Sequence, residues 1–419
     1  MLHLKNATYI HPESFKIKKT DIFVDERVNG KIYFTKPEAD ITQSIDCTGK
    51  LVTKAFANAH HHVYSALARG MHAPKKTPSN FSETLKYIWW VLDQNLDADM
   101  IRLSALSTAI ACAKNGCTFV IDHHASPNHL IGSLEIIAKA FDEVGIGHLL
   151  CYEITDRYGE MSTWEGIEET DTYLSKHQGL VGLHASFTVE NDTLENSISL
   201  AKKHKTGIHI HVAEDIADQE HCQKFHNKRV MERLLDAGVL DLKSNIFAHC
   251  IHLNLKERKI LADSNSWVVA NMDSNLNNRV GIFTGKNLGD KIMLGTDGMH
   301  SNMIKSAQSA FFTGQNYESI GWNDMYTRLR NVHKYLKVNK FKGDGDNNLI
   351  VMDYDSPTEL TSSNFLGHFF FGLENRHIVH TIAQGKLIME NQKIKTVDED
   401  AILKESRKFA TYLWDKMAR

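Results

Sequence analysis

The chain predicts an α/β fold, a (β/α)8 TIM barrel carrying a small β-sandwich domain built from the N- and C-terminal segments. Three observations lead there. From Leu51 onward, eight apolar strand-like runs alternate with helical stretches, which is the pattern of a parallel sheet with crossover helices. Those runs occupy about 250 residues, the usual size of such a barrel. Strand texture returns after residue 345, and neither terminal segment alone has enough strands to bury a face.

In chain order, the first fifty residues hold "LHLKNATYI" and "DIFVDERVNGKIYFT", where Asn29-Gly30 is a strong hairpin signal. The barrel runs follow: "LVTKAFANAHHHV", "CTFVIDHHAS", "GHLLCYEITD", "GLVGLHASFT", "TGIHIHVAED", "SNIFAHCIHL", "SWVVANMDSN" and "KIMLGTDGM". Between them, "SLEIIAKAFDEVG" places apolar residues at helical intervals and closes on Gly145, and "NKRVMERLLDAGV" behaves likewise. The last strands are "NNLIVMDYD", "HIVHTIAQGKLIME" and "QKIKTV", before the helical "DEDAILKESRKFATYLWDKMA". The expected domains are 1–50 with 345–395 for the β-sandwich, 51–344 for the barrel and 396–419 for a C-terminal helix.

Composition narrows the function. The 419 residues are 42% hydrophobic and 24% charged with a net charge of -3, ordinary for a soluble globular protein. Like charges form no long block, which argues against a nucleic-acid or membrane-surface partner. No apolar run approaches the roughly 18 residues a membrane span needs, and "MLHLKNATYIHPES" lacks the core of a secretory signal, so a cytoplasmic protein is expected. The six cysteines contain no CxxC pair and read as buried thiols.

Active sites of such barrels form at the C-terminal ends of the strands. The first run ends in "NAHHHV", and on that tract alone a metal site and a solvated histidine run are equally good readings. Side chains alternate along a strand, so His60 and His62 share one side and His61 takes the other. The fifth run adds His209, His211 and Glu214, the sixth His249 and the eighth Asp297. Imidazoles with a carboxylate suit zinc or a neighbouring divalent transition metal, and an open position for water makes the site hydrolytic. Of His209 and His211 only one is needed as a ligand. His211 is preferred, because Glu214 follows it where a general acid/base would stand, while His209 reads as packed or hydrogen-bonding. The fourth run ends in His184 and offers no lysine to bridge two ions, so one metal is expected.

These motifs resemble the amidohydrolase superfamily, specifically its mononuclear aminohydrolase (deaminase and chlorohydrolase-like) branch, and most closely the SsnA-type aminohydrolases. "NAHHH", "HVAE", "AHC" and "LGTDG" carry the likeness, as do "HHVYSALARGM", "VIDHHASPNHL", "CYEITDR", "GLHASFTV" and "SNLNNRVG". The resemblance implies metal ligation by His60, His62, His211 and Asp297, with zinc as the ion and Fe2+ as the alternative. It implies that Glu214 shuttles a proton to the substrate nitrogen, that His249 polarises or deprotonates the attacking water, and that Asp297 accepts that water's proton. The chain departs from the family at Lys54-Ala55-Phe56, where Pro-Gly is usual, at Ala270-Asn271-Met272, where His-Asn-Pro is usual, and at His61, where Thr is commoner.

Candidate substrate contacts are Arg69 in the long connection after the first run, His124 ending the second, His184 ending the fourth and His300 just past Asp297. Trp89 and Trp90 fall on a predicted helix and read as core. The expected reaction is hydrolytic deamination of a nitrogen-rich, purine-like heterocycle, with that small molecule and water as the partners. Cleavage of a cyclic amide or loss of a halide on the same site is the alternative, and a non-catalytic barrel scaffold is disfavoured because every expected ligand is present. A homodimer follows only by analogy with barrels of this group.

Overall fold

The computed structural model describes residues 1–418. The N-terminal segment contributes β1 (Leu2–Ile10), β2 (Ile17–Val24), β3 (Ile32–Tyr33), β4 (Gln43–Asp46) and β5 (Leu51–Lys54). The barrel comprises β6 (Phe56–His61), β7 (Cys117–His124), β8 (Gly147–Ile154), β9 (Val181–Ala185), β10 (Ile208–Val212), β11 (Ile246–His249), β12 (Trp267–Ala270) and β13 (Ile292–Leu294). β14 (Leu349–Met352), β15 (Ile378–Ala383), β16 (Lys386–Glu390) and β17 (Lys393–Ile394) return to the first group.

β6 to β13 pair in sequence order, all parallel. Closure comes from the last strand's end: the amides of Thr296 and Asp297 both donate to the His60 carbonyl, at 3.1 and 3.0 Å. Deep in the barrel, Phe119, Ile121, Leu149, Ile246, Trp267, Val269 and Met293 form one hydrocarbon cluster with Tyr335. The polar strand ends therefore rest on a dry, packed floor.

The remaining strands join in one sheet with the order β17-β16-β15-β14-β5-β1-β2-β3, β4 pairing beside β1. This β domain has a core of its own, including Leu4, Ile22, Val24, Ile45, Val52, Leu349, Val351 and Ile382. The closing helix Glu399–Met417 lies on the barrel helix Ala98–Lys114, where Ser107 meets Ser406 at 2.9 Å and Lys114 pairs with Glu399.

The run Leu51–Val63, expected as one barrel strand, is two strands with different partners. β5 pairs with β1 and β14, and β6 with β7. At Ala55 the backbone is taken over by other groups: its amide donates to Asn348, and Arg330 Nη1 donates to the carbonyls of Lys54 and Ala55 at 3.2 and 2.8 Å. Neither ladder can run past that point. Beside it, Lys54 Nζ reaches Asp344 at 3.0 Å and the Gly345 carbonyl at 2.6 Å, while His333 Nδ1 takes the other Asp344 oxygen at 2.7 Å. All six cysteines are buried and free, and no described helix is long and apolar enough to cross a membrane.

Candidate metal centre

The strand ends re-aim their side chains through left-handed backbone. Ala213, His249 and Asp297 have φ of +46°, +70° and +52°, a conformation that costs non-glycine residues about 1–3 kcal/mol and persists where the surroundings enforce it. Here it turns β10, β11 and β13 inward at the mouth.

His60, His62, His211 and Asp297 converge there, their ligand atoms all within 4.8 Å of one another. His62 Nε2 stands 3.1 Å from His211 Nε2 and 3.0 Å from Asp297 Oδ1, and His60 Nε2 stands 3.4 Å from the same oxygen. Bonds of about 2.0–2.1 Å in tetrahedral geometry separate ligand atoms by about 3.3 Å, so the spacing fits a zinc-sized ion.

Hydrogen bonding on the far side of each ring fixes which nitrogen faces inward. His62 Nδ1 donates to the His123 carbonyl at 2.7 Å, and His211 Nδ1 to the His184 carbonyl at 2.8 Å. For His60 the partner is His209: its Nε2 meets His60 Nδ1 at 2.9 Å, its Nδ1 lies 3.7 Å from Cys151 Sγ, and that thiol faces the Asp122 carbonyl. The thiol donates to the carbonyl, His209 to the sulfur and His60 to His209. His60 Nε2 is then a buried lone pair with no hydrogen-bond partner.

Three lone pairs and a carboxylate oxygen this close require positive charge among them. Burial pushes His60 down to about 3 and depresses His211, leaving both neutral. Burial also opposes charge on His62, but the Asp297 carboxylate overrides it and lifts that ring to about 9. A proton can stand on His62; a cation among all four atoms satisfies every lone pair at once.

On the outer side, His249 Nε2 lies 3.5 Å from Glu214 Oε2 and 3.9 Å from Asp297 Oδ2. Its Nδ1 donates to Asn275 Oδ1 at 2.8 Å, which leaves Nε2 unprotonated and without a hydrogen-bond partner. Ser274 Oγ donates to Asp297 Oδ2 at 2.5 Å. Burial, with Asp297 nearby, raises the Glu214 carboxyl well above its usual range.

A cleft opens over these groups, lined by His62, His211, Glu214 and Asp297 at one side and by Tyr64, Phe81, Leu85, Trp89 and Trp90 at another. His184 joins its lining, held by Thr188 Oγ1 at 2.6 Å. The other three expected substrate contacts do not line this cleft. Arg69 is exposed and ties its Nη2 to the Met299 carbonyl at 3.2 Å. His124 is buried against Tyr64 and Tyr152 with Ser126 as its partner, because the alternation of β7 sends His123 inward instead. His300 bonds to Asp273 at 2.9 Å, outside the cleft lining. Trp89 and Trp90, read as core, line the cleft, and Trp90 lies beneath the guanidinium of Arg157 at 4.8 Å.

Sequence reasoning missed two groups here. One is the helix Met272–Asn278, which brings Ser274 and Asn275 to the acid/base side; the Ser-Asn pair that closes the seventh run was the available signal. The other is a buried ion cluster on the cleft wall, with Arg157 Nη2 2.8 Å from Glu153 and 3.6 Å from Asp93, whose carboxylate also accepts from Tyr158. Only the position of Glu153, in step with inward Leu149 and Cys151 on β8, marked it in advance.

A closed parallel barrel with three histidines and an aspartate at its mouth is the architecture of a metal-dependent hydrolase. Residues 51–341 match the Amidohydrolase family, and the chain belongs to it. A 5-methylthioadenosine/S-adenosylhomocysteine deaminase of Thermoanaerobacter pseudethanolicus is 26% identical, over 95% of each chain. A 5'-deoxyadenosine deaminase of Methanobrevibacter smithii is also 26% identical, over 97% of this chain and 96% of the other. Among solved structures, an adenosine deaminase from Xanthomonas campestris with bound zinc superposes with a TM-score of 0.82 at 16% identity, covering 98% of both chains. The atrazine chlorohydrolase of Arthrobacter aurescens TC1, complexed with zinc, gives 0.80 at 14% identity over 99% of this chain and 100% of that one.

Proposed function

We propose that the protein is a zinc-dependent aminohydrolase that removes the exocyclic amino group of a purine-like heterocycle, an adenine nucleoside or a close analogue, as ammonia. The observation that carries this reading is the convergence of His60 Nε2, His62 Nε2, His211 Nε2 and Asp297 Oδ1, with lone pairs oriented by carbonyls and by His209, next to Glu214, whose carboxyl burial raises. The names of the two sequence relatives support the nucleoside substrate. A bound divalent ion acidifies water to a pKa of about 7 and polarises what it touches.

The chain's own groups do the rest. Trp89, Trp90 and Tyr64 offer flat apolar walls to an aromatic ring and keep bulk water from it. His249 Nε2, free of a proton, accepts a hydrogen bond from the attacking water and orients it. Asp297 Oδ2 takes that water's proton, with Ser274 steadying the carboxylate. Glu214 delivers its proton to the ring nitrogen and takes back the proton of the newly formed hydroxyl, while the proton held by Asp297 passes to the departing amine. Water oxygen bonds to the amino-bearing carbon, the C–N bond breaks, and ammonia leaves. This reading also takes in a division into β domain, barrel and terminal helix, a cytoplasmic location, a homodimer, and no nucleic-acid or membrane partner.

The test is elemental analysis of the purified chain beside a screen of adenine nucleosides and other heterocyclic amines for ammonia release. About one zinc per chain and release from a nucleoside are expected, with Asp297→Asn losing both. Absence of bound metal, with wild type and Asp297→Asn equally silent, defeats the reading.

A further inference from the structure

Beside the metal centre, the cleft wall carries a charged cluster that the reaction steps leave unused. Among the described residues lining the cleft, Arg157 is the only lysine or arginine. It faces carboxylates: Nη2 donates to Glu153 Oε1 at 2.8 Å and lies 3.6 Å from Asp93 Oδ2. The Arg157 side chain is 7% exposed and is laid over the rings of Trp90 and Tyr158 at 4.8 and 5.2 Å, while its Nε and Nη1 have no hydrogen-bond partner. Glu153 is buried in turn, with its other oxygen 3.2 Å from His123 Nδ1. Burial opposes the Glu153 charge, but His184, His123 and Arg157 outweigh it and hold the carboxyl well below its usual range.

The charge of the guanidinium is therefore spent on Glu153 before any ligand arrives. Asp93 is a second carboxylate on it, and burial lifts that group to about 7, so it adds negative charge as pH rises past neutrality. An uncharged substrate meets a balanced wall. A phosphate or carboxylate meets no uncompensated cationic side chain, and Glu153 and Asp93 repel it. We propose that Glu153 is a specificity-determining residue: by neutralising Arg157 it restricts the site to uncharged nucleosides and bases and turns away their relatives that bear a phosphate or carboxylate. This rests on the deaminase reading and narrows its substrate class. Removing the Glu153 charge leaves a guanidinium with two nitrogens already lacking acceptors, a ready partner for an oxyanion.

The experiment uses the full chain loaded with zinc, and compares adenosine with adenosine 5'-monophosphate at pH 8. Binding is read by tryptophan fluorescence, since Trp89 and Trp90 line the cleft, and ammonia release is read in parallel. Wild type is expected to bind adenosine at least roughly tenfold more tightly. Glu153→Gln keeps the shape and the acceptor for Arg157, and should narrow that preference by roughly ten- to hundredfold, through tighter binding of the phosphate compound. Adding Arg157→Gln to Glu153→Gln should restore the preference. Retained zinc reports that a variant is folded, and Asp93→Asn, which relieves Arg157 of its other carboxylate, should move the preference the same way by less. Equal binding of both ligands by wild type overturns the proposal. So does an unchanged preference in folded Glu153→Gln and Asp93→Asn, which is what a purely structural ion pair would give. Binding preferences that shift as stated, with no ammonia from either compound, defeat instead the reading of the preceding section.

Discussion

Strand β6 has a buried cluster of imidazole and carboxylate groups at each end, and the two are opposites. At its start, Asp344 has one oxygen on Lys54 and the other on His333, and none of these three side chains has a buried polar atom without a partner. At its end, His60 Nε2 and the nearby His249 Nε2 are buried and unpartnered. Burial costs both clusters desolvation, but only the first recovers it within the chain. The first is a joint between barrel and β domain; the second is incomplete without an ion and a substrate.

The contrast can be broken by exchanging the consequences of mutation. The largest effect falls at the mouth: Glu214→Gln should lower turnover by roughly 10²–10⁴-fold while zinc content and unfolding midpoint stay at wild-type values. Ammonia-release kinetics and a urea melt read the two together, and a melt that collapses with activity would make Glu214 a joint residue too. Asp344→Asn should behave inversely, costing about 3–5 kcal/mol because Lys54 is left buried and unpaired, with turnover per folded molecule unchanged. Burial opposes the Asp344 charge, but His333 and Lys54 outweigh it and hold the carboxyl well below its usual range. That stabilisation is complete above the unfolded carboxylate pKa of about 3.9 and drains away as pH falls through and below it. The gap between wild type and Asp344→Asn in urea should accordingly narrow below about pH 4.

Smaller effects sharpen the same boundary. His209→Leu removes the acceptor that orients His60, and zinc affinity measured by chelator competition should fall by roughly 10–100-fold, with no comparable change in stability. Unchanged affinity would show that β6 alone aims His60. Arg69→Ala should cost less than about 0.5 kcal/mol and leave KM where it was, since the guanidinium is exposed and its hydrogen bond goes to the Met299 carbonyl.

The residues brought together at the mouth were the legible part of the sequence, because strand alternation and strand-end position are one-dimensional properties. His60, His62, His211, Glu214, His249 and Asp297 all end apolar runs. The barrel was legible for the same reason, through its repeating texture. What escaped depends on partners distant in sequence. Arg157, Glu153 and Asp93 meet from three segments, and no local pattern announces a salt bridge. His124 was preferred over His123 because a pair of adjacent histidines does not declare which one faces inward; only the phase of Phe119 and Ile121 decides. The split at Ala55 was invisible because both halves of the run are equally apolar and only the bonding partner changes.

That split ties the stability of one domain to the occupancy of the other. A single residue separates β5, a central strand of the β domain, from β6, which delivers His60 and His62. The β domain cannot open without pulling on the strand that holds the ion, and an ion bound only to the native mouth raises the free energy of every opening that disturbs it. Hydrogen exchange should register this far from the metal: zinc should slow exchange at the amides of Val52, Thr53 and Ile350, while the Leu2–Val24 end of the sheet, beyond the reach of β5, exchanges at its metal-free rate.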